Sequence, residues 1–330
     1  MDHTYIQPID SQAAWVGPDV ADSPEVTVVL EQEHLDELLQ SVEAAKASGA
    51  PLGEITREDH PLPRTQPLIA EVLHQLTDGY GFSLVRGLPV FELSEHESEL
   101  AYWILGSHIG IPLPQNARND LLVHVRDQGK DYQDPEVRGY QTTATLDYHV
   151  DGSDVVALLC RRAAKSGGAS RIASSSAIHN EMLRRDPELV AELYRSFAFD
   201  KRLPLDAEGP GFQLSPIFSP HQGRLSARYG RSYIESSQRH EDAPRLTEKA
   251  IAALDMFDEV ASSPSIYLDM IFQPGDMQFL NNHLIVHSRT EYEDHEAYDL
   301  KRDLIRFWVT LRDYYEFAPE YAVSNVTYQA

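Results

Sequence analysis

The chain has 330 residues, 42% hydrophobic and 24% charged, which suits a globular enzyme with one large core or two modest ones. Its 52 acidic and 28 basic residues leave a formal net charge of -24, which repels phosphate backbones and anionic lipid heads. Nucleic acid and membrane surfaces are therefore excluded as expected partners; a small-molecule substrate, even an acidic one, needs only a few arginines gathered locally.

The single cysteine, Cys160, excludes an internal disulfide framework and a multi-cysteine zinc site. It lies in the apolar run Val155 to Cys160, where a buried, inert thiol is expected. No stretch approaches the roughly 18 to 20 apolar residues of a membrane span. Met1-Asp2-His3-Thr4 has no secretion-signal pattern, so a cytoplasmic location is expected.

In chain order, residues 1–64 read as an accessory N-terminal region. Leu30 to Lys46 has helical spacing, ended by Ser48-Gly49-Ala50-Pro51. The connector His60-Pro61-Leu62-Pro63 opens residues 65–330, expected to form a single domain. A helix over Pro67 to Thr77 is followed by a short strand at Phe82 to Val85. Ser94 and Glu97 have the spacing of a capping box ahead of the apolar stretch Leu100 to Ile109.

From about Tyr140 the pattern becomes one of short β-prone runs: Thr142 to Val150, Val155 to Cys160, Ser170 to Ser174 and Arg224 to Tyr229. Helical segments interrupt them at Ser176 to Phe197 and Thr247 to Ala261. The end is β-rich again, at Ser265 to Phe272, Met277 to His287 and Asp303 to Leu311. Many short strands punctuated by Gly and Pro predict a mainly β jelly roll with helical insertions.

Non-haem iron oxygenases bind iron through two histidines and a carboxylate on one face of the metal. His-x-Asp on a strand supplies two of these, because residues i and i+2 project to the same side. The triplet occurs at His34 to Asp36, His149 to Asp151 and His240 to Asp242, and His-x-Glu at His179 to Glu181. His34 and His179 lie in helical runs, where i and i+2 diverge by about 200°. His240 lies in a charged loop, Gln238 to Asp242, expected to be solvated. Only His149 and Asp151 follow a strand-like run. The pair also fits a His and an Asp that satisfy each other at a strand end.

A third ligand must come from a distant strand. Gly275 to His287 offers His283 and His287, four apart as in a helical zinc-protease motif. Leu284 stands where that motif needs Glu, and Leu284-Ile285-Val286 favours a strand. His287 is the preferred ligand and His283 a packing or hydrogen-bonding neighbour, although a strand histidine without context is more often structural.

These residues resemble the taurine/2,4-dichlorophenoxyacetate dioxygenase (TauD/TfdA) family. The likeness runs through His149 to Ser170, through Asn282-His283-x-x-x-His287 and through Lys301-Arg302-Asp303-Leu304-Ile305-Arg306, and it touches Gly81 to Pro89. It covers about residues 65–315. It implies a double-stranded β-helix holding Fe(II) through His149, Asp151 and His287, with 2-oxoglutarate as cosubstrate and O2 as oxidant. It further implies Arg306 as partner of the far carboxylate of 2-oxoglutarate, with Ser170 supporting it and Arg302 as a second basic position. Arg306 stands on physical ground as well: a buried carboxylate needs a partner, a guanidinium can supply two bonds at once, and the flanks Leu304, Ile305, Phe307 and Trp308 point to burial. His283 replaces an arginine of the family pattern.

The implied reaction releases succinate and CO2 while a small polar or acidic substrate is hydroxylated, desaturated or cyclised. Asp151 fills the position that halogenating relatives leave for chloride. Gln141 and Arg289 join Arg302 as candidate substrate contacts. Two other classes remain: a metal enzyme on the same barrel that does not use 2-oxoglutarate, and a non-catalytic binding module. A homodimer is the default assembly.

Overall fold

A computed structural model describes residues 6–21, 23–116, 118–129, 141–203, 209–312 and 314–321. The N-terminal part forms β1 (Thr27–Val29), α1 (Gln32–Ser48), α2 (Gln66–Thr77), β2 (Phe82–Arg86) and α3 (Glu95–Ile109). Helix α1 stops at Gly49, whose φ of 64° places it in the left-handed region that favours glycine. The capping box forms at the start of α3: Ser94 Oγ accepts from the Glu97 N–H at 3.2 Å, and Glu97 accepts from the Ser94 N–H at 2.8 Å. His34 caps too, its Nδ1 accepting from the Glu31 N–H at 3.0 Å at the start of α1.

Two short strands follow, β3 (Ile111–Leu113) and β4 (Leu122–Val125), and then the strands of the barrel. These are β5 (Leu146–His149), β6 (Val155–Arg162) and β7 (Ser170–Ser174), then, beyond a helical insertion, β8 (Leu268–Met270), β9 (Met277–Asn281), β10 (Ile285–Arg289) and β11 (Asp303–Thr310). They make two facing sheets. The larger has the order β1-β2-β9-β6-β11-β3, with β4 also on β11, and the smaller the order β8-β7-β10-β5. This is the expected jelly roll, mostly sheet with helices packed outside.

Several expected elements differ in extent. The run from Thr142 becomes a strand only at Leu146. The helix expected over Ser176 to Phe197 splits into Ser175–Arg185 and Pro187–Glu192, followed by the strand Ser196–Asp200. The break is at Asp186: the proline after it disfavours helical backbone, and its side chain caps the second helix from the Glu188 N–H at 2.9 Å. Met277 to His287 is two strands around a tight turn, not one. His240 is buried rather than solvated, with Nε2 3.3 Å from Asp200.

Strand parity divides the core. Val155, Ala157 and Leu159 of β6, with Ile305, Phe307 and Val309 of β11, face α1–α3. Val156 and Cys160, with Leu304 and Trp308, face the space between the sheets. Leu38, Val42 and Ala45 of α1 share the first core with Trp103 and Phe307, so the region before residue 65 is packed into the barrel wall. No described helix is long and apolar enough to cross a membrane.

On the helix-facing side of β11, Asp303 is fully buried and receives Arg126 Nε at 2.6 Å and Arg161 Nη1 at 3.1 Å. His124 bridges from its Nδ1 to Asp303 at 2.8 Å and from its Nε2 to Glu99 at 3.0 Å. Burial by itself lowers the His124 pKa, but Asp303 and Glu99 outweigh it and raise it to about 9. A folded pKa above the ordinary value of about 6.5 stabilises the fold fully below that pH, and the contribution is lost as pH rises through about 9. Urea midpoints measured across this window are expected to fall for the parent and to fall less in His124→Gln; equal slopes would refute the charged bridge.

Candidate active site

Antiparallel pairing of β5 with β10 sets His149 directly opposite His287. Their ring centroids are 4.4 Å apart. Asp151 lies just beyond the end of β5, in a turn tied to the hairpin between β9 and β10. Asn282 Oδ1 accepts from the Asp151 N–H at 3.0 Å, and Asn282 Nδ2 donates to the Ser153 carbonyl at 2.9 Å. The donor atoms of His149, Asp151 and His287 lie within 4.8 Å of one another. The structure thus brings together the three residues that the sequence selected as ligands.

The chemistry of this donor set fits a divalent metal. His149 Nδ1 is 2.8 Å from the Asp147 carbonyl, which makes it the protonated nitrogen and leaves Nε2 with a free lone pair. Burial lowers the His287 pKa to about 3, so its imidazole is neutral as ligation requires. Its buried Nδ1 has no partner among the described residues. Burial raises the Asp151 pKa, but the guanidinium of Arg306 opposes it most strongly and the Trp308 N–H adds to that, so the carboxyl lies below its ordinary range. A second group, Glu95, Glu99 and His124, has similar spacing, but Arg126 and Arg161 already occupy Glu95.

A cavity opens from His149, Asp151 and His287 into the barrel. Val125, Val156, Leu158, Phe272 and Leu304 give it apolar walls. Arg306 points into it with Leu304, on the inner side of β11, and Arg302, just before that strand, lines it too. Arg306 Nη1 lies 3.6 Å from Asp151 Oδ2, and its Nε donates to Gln115 Oε1 at 2.7 Å. Arg302 is only 3% exposed, its guanidinium lies 5.0 Å from the Tyr292 ring centre, and its Nη1 is buried without a hydrogen-bond partner among the described residues. Gly168, at φ +70°, makes room for it: a Cβ there would stand 3.2 Å from Arg302 Nε.

Ser170 lines the same cavity and donates to Gln278 Oε1 at 2.9 Å. Arg289 also lines it, and its Nη2 donates to the Thr142 carbonyl at 2.7 Å, so it ties down the approach to β5. Gln141 is not among the lining residues; its side chain donates to Gln128 at 3.1 Å. His283 stays out of the cavity, with Nε2 2.9 Å from Asp154 and Nδ1 3.0 Å from the Tyr321 hydroxyl. Cys160 is fully buried and burial pushes its pKa up to about 12, an inert thiol as expected. Sequence reasoning missed Asn282 as a holder of Asp151 and Trp308 as more than an apolar flank. The alternation along β11 is the signal that sets Trp308 on the same side as Arg306.

Comparison with known proteins places this architecture. The model of the taurine catabolism dioxygenase TauD, TfdA family matches residues 48–308. FR-33289 synthase of Streptomyces rubellomurinus is 33% identical over 314 residues, covering 94% of this chain and 93% of that one. An asparagine oxygenase solved with Fe(II), 2S,3S-3-hydroxyasparagine and succinate superposes with a TM-score of 0.66 at 18% identity, covering 86% of this chain and 93% of that one. The oxygenase OrfP, solved with Fe and alpha-ketoglutaric acid, superposes with a TM-score of 0.63 at 16% identity, over 86% and 94% of the two chains.

A buried guanidinium N–H without a partner costs about 1–3 kcal/mol of folding free energy. Arg302→Met is therefore expected to unfold at a higher urea concentration than the parent when no ligand is present; a clear loss of stability would show that Arg302 already has its partner within the chain.

Proposed function

Because this chain belongs to the taurine catabolism dioxygenase TauD, TfdA family and is a non-haem iron, 2-oxoglutarate-dependent dioxygenase, we propose that His149, Asp151 and His287 hold its iron and that Arg302, with Ser170, receives the far carboxylate of 2-oxoglutarate. The observation that carries this reading is one cavity lined at one place by two histidines and a carboxylate, and at another by a buried guanidinium with an unpartnered N–H.

This reading exchanges the roles that motif alignment implied for the two arginines. Arg306 lies against Asp151, beside the metal ligands, whereas the far carboxylate sits at the other end of a five-carbon chain. Arg302 faces Tyr292 and Gly168 instead. Arg306 is then placed to meet negative charge close to the metal, on the cosubstrate's chelating end or on the substrate.

Iron with bound 2-oxoglutarate supplies O2 activation, coupled to release of succinate and CO2 and to oxidation of a substrate C–H bond. The chain itself contributes binding and orientation. His149, Asp151 and His287 would hold the iron and leave room beside it for the cosubstrate and O2. Arg302 pairs one end of the dicarboxylate in a site where an unpaired charge would be costly. Val125, Val156, Leu158 and Leu304 exclude water from the reacting groups. Asp151 ligation favours hydroxylation, desaturation or cyclisation over halogenation.

For the substrate, the guanidinium groups of Arg289 and Arg306 support a small polar or acidic molecule. They set a locally positive wall inside a chain whose overall charge is -24.

Anaerobic titration with Fe(II) and 2-oxoglutarate is expected to develop a weak visible charge-transfer band that is lost in His149→Ala and His287→Ala. A band that survives either change would refute the ligand assignment. Arg302→Met should keep the band but need about 10- to 100-fold more 2-oxoglutarate, in line with a charge-assisted bond of about 1.5–3 kcal/mol. A larger effect from Arg306→Met than from Arg302→Met would restore the roles that alignment implied.

A further inference from the structure

The inner side of β11 reaches Asp151 twice. Trp308, two residues beyond Arg306, donates its indole N–H to Asp151 Oδ2 at 3.1 Å. Arg306 Nη1 lies 3.6 Å from that same oxygen, and its guanidinium carbon lies 4.9 Å from the Trp308 ring centre. Gln115 arrives from the segment after β3 and is buried. Its Oε1 accepts from Arg306 Nε at 2.7 Å, while its Nε2 donates to the carbonyls of Arg306 at 2.8 Å and Leu121 at 2.9 Å. One amide therefore grips Arg306 by both its head and its backbone.

We propose that Trp308 and Gln115 are positioning residues of the iron site, Trp308 acting directly and Gln115 through Arg306, which together fix the carboxylate that Asp151 presents beside His149 and His287. The proposal rests on the reading that these three residues hold the metal. A carboxylate on a turn can rotate about its last side-chain bond, and a rotated carboxylate is a poorer ligand. Here Asn282 fixes the backbone of Asp151, and the two β11 side chains fix the orientation of its oxygens. Groups that orient a ligand in this way usually alter metal affinity by about 10- to 100-fold.

A buried tryptophan also needs a partner for its N–H, and Trp308 could use Asp151 for that purpose alone. That role would affect folding stability without altering the metal. The discriminating measurement is anaerobic calorimetry with Co(II) alone, paired with the charge-transfer band of the Fe(II) and 2-oxoglutarate complex. It is made on the full chain with Trp308→Phe, Gln115→Met and His149→Ala, each checked for folding by circular dichroism. Trp308→Phe and Gln115→Met are expected to bind Co(II) at least about 10-fold more weakly and to displace the band maximum. Unchanged or tighter Co(II) binding with an unmoved band, in whichever of the two is folded, overturns the role of that residue. Retained Co(II) binding in His149→Ala would instead overturn the ligand assignment on which the proposal stands.

Discussion

The cross-strand pairing of His149 with His287 is the constraint on which the site depends. It exists because β5 and β10 are antiparallel neighbours in the smaller sheet and because their register sets these residues opposite each other. A slip of one residue would turn one of the imidazoles to the other side of the sheet and leave no donor set. Much of the surrounding structure pins this register. On its other edge β10 pairs with β7 over five residues, from Ile285 with Ser174 to Arg289 with Ser170. Val286, on the opposite side of β10 from His287, is buried in the core formed with the helical insertion.

The last strand does two jobs with its two sides. Outward, Ile305, Phe307 and Val309 fill the core under the helices, and Asp303 closes a buried network with His124, Arg126 and Arg161. Inward, Arg302, Leu304 and Arg306 line the cavity, and Trp308 joins the core between the sheets. The outward network anchors the strand that carries the inward cations, so the rigidity that two guanidiniums in an apolar barrel require is supplied from behind. An acidic chain thereby gathers a few cations at one cavity, where Arg289, Arg302 and Arg306 line the wall.

Legibility varied with the range of the interaction that decided each feature. Capping at Ser94 and Glu97 and the stop at Gly49 are local, and the structure has both. The helix read through Asp186-Pro187 shows a local signal underweighted: proline at the first position of a new helix was enough to break the old one. His240 was misjudged because charge in its neighbours suggested solvent, whereas burial came from Asp200 and Phe212, distant in the chain. The arginines four apart near the C-terminus were identifiable as a pair, but which lies beside Asp151 depends on where a turn on another strand ends.

By itself, then, the amino-acid order determined the periodicities, the caps, the strand alternation and the choice of His149, Asp151 and His287 over rival triplets, since each depends on neighbours along the chain. Only the tertiary structure decided the distances: that Asp151 sits off its strand and is held by Asn282, that Arg306 lies beside Asp151 while Arg302 faces Tyr292 and Gly168, and that Trp308 meets the Asp151 carboxylate while Gln115 holds Arg306. The physical reason is that hydrogen bonds and ion pairs act over a few ångströms in space. Residues far apart in sequence meet at that range only once strand order and register are set.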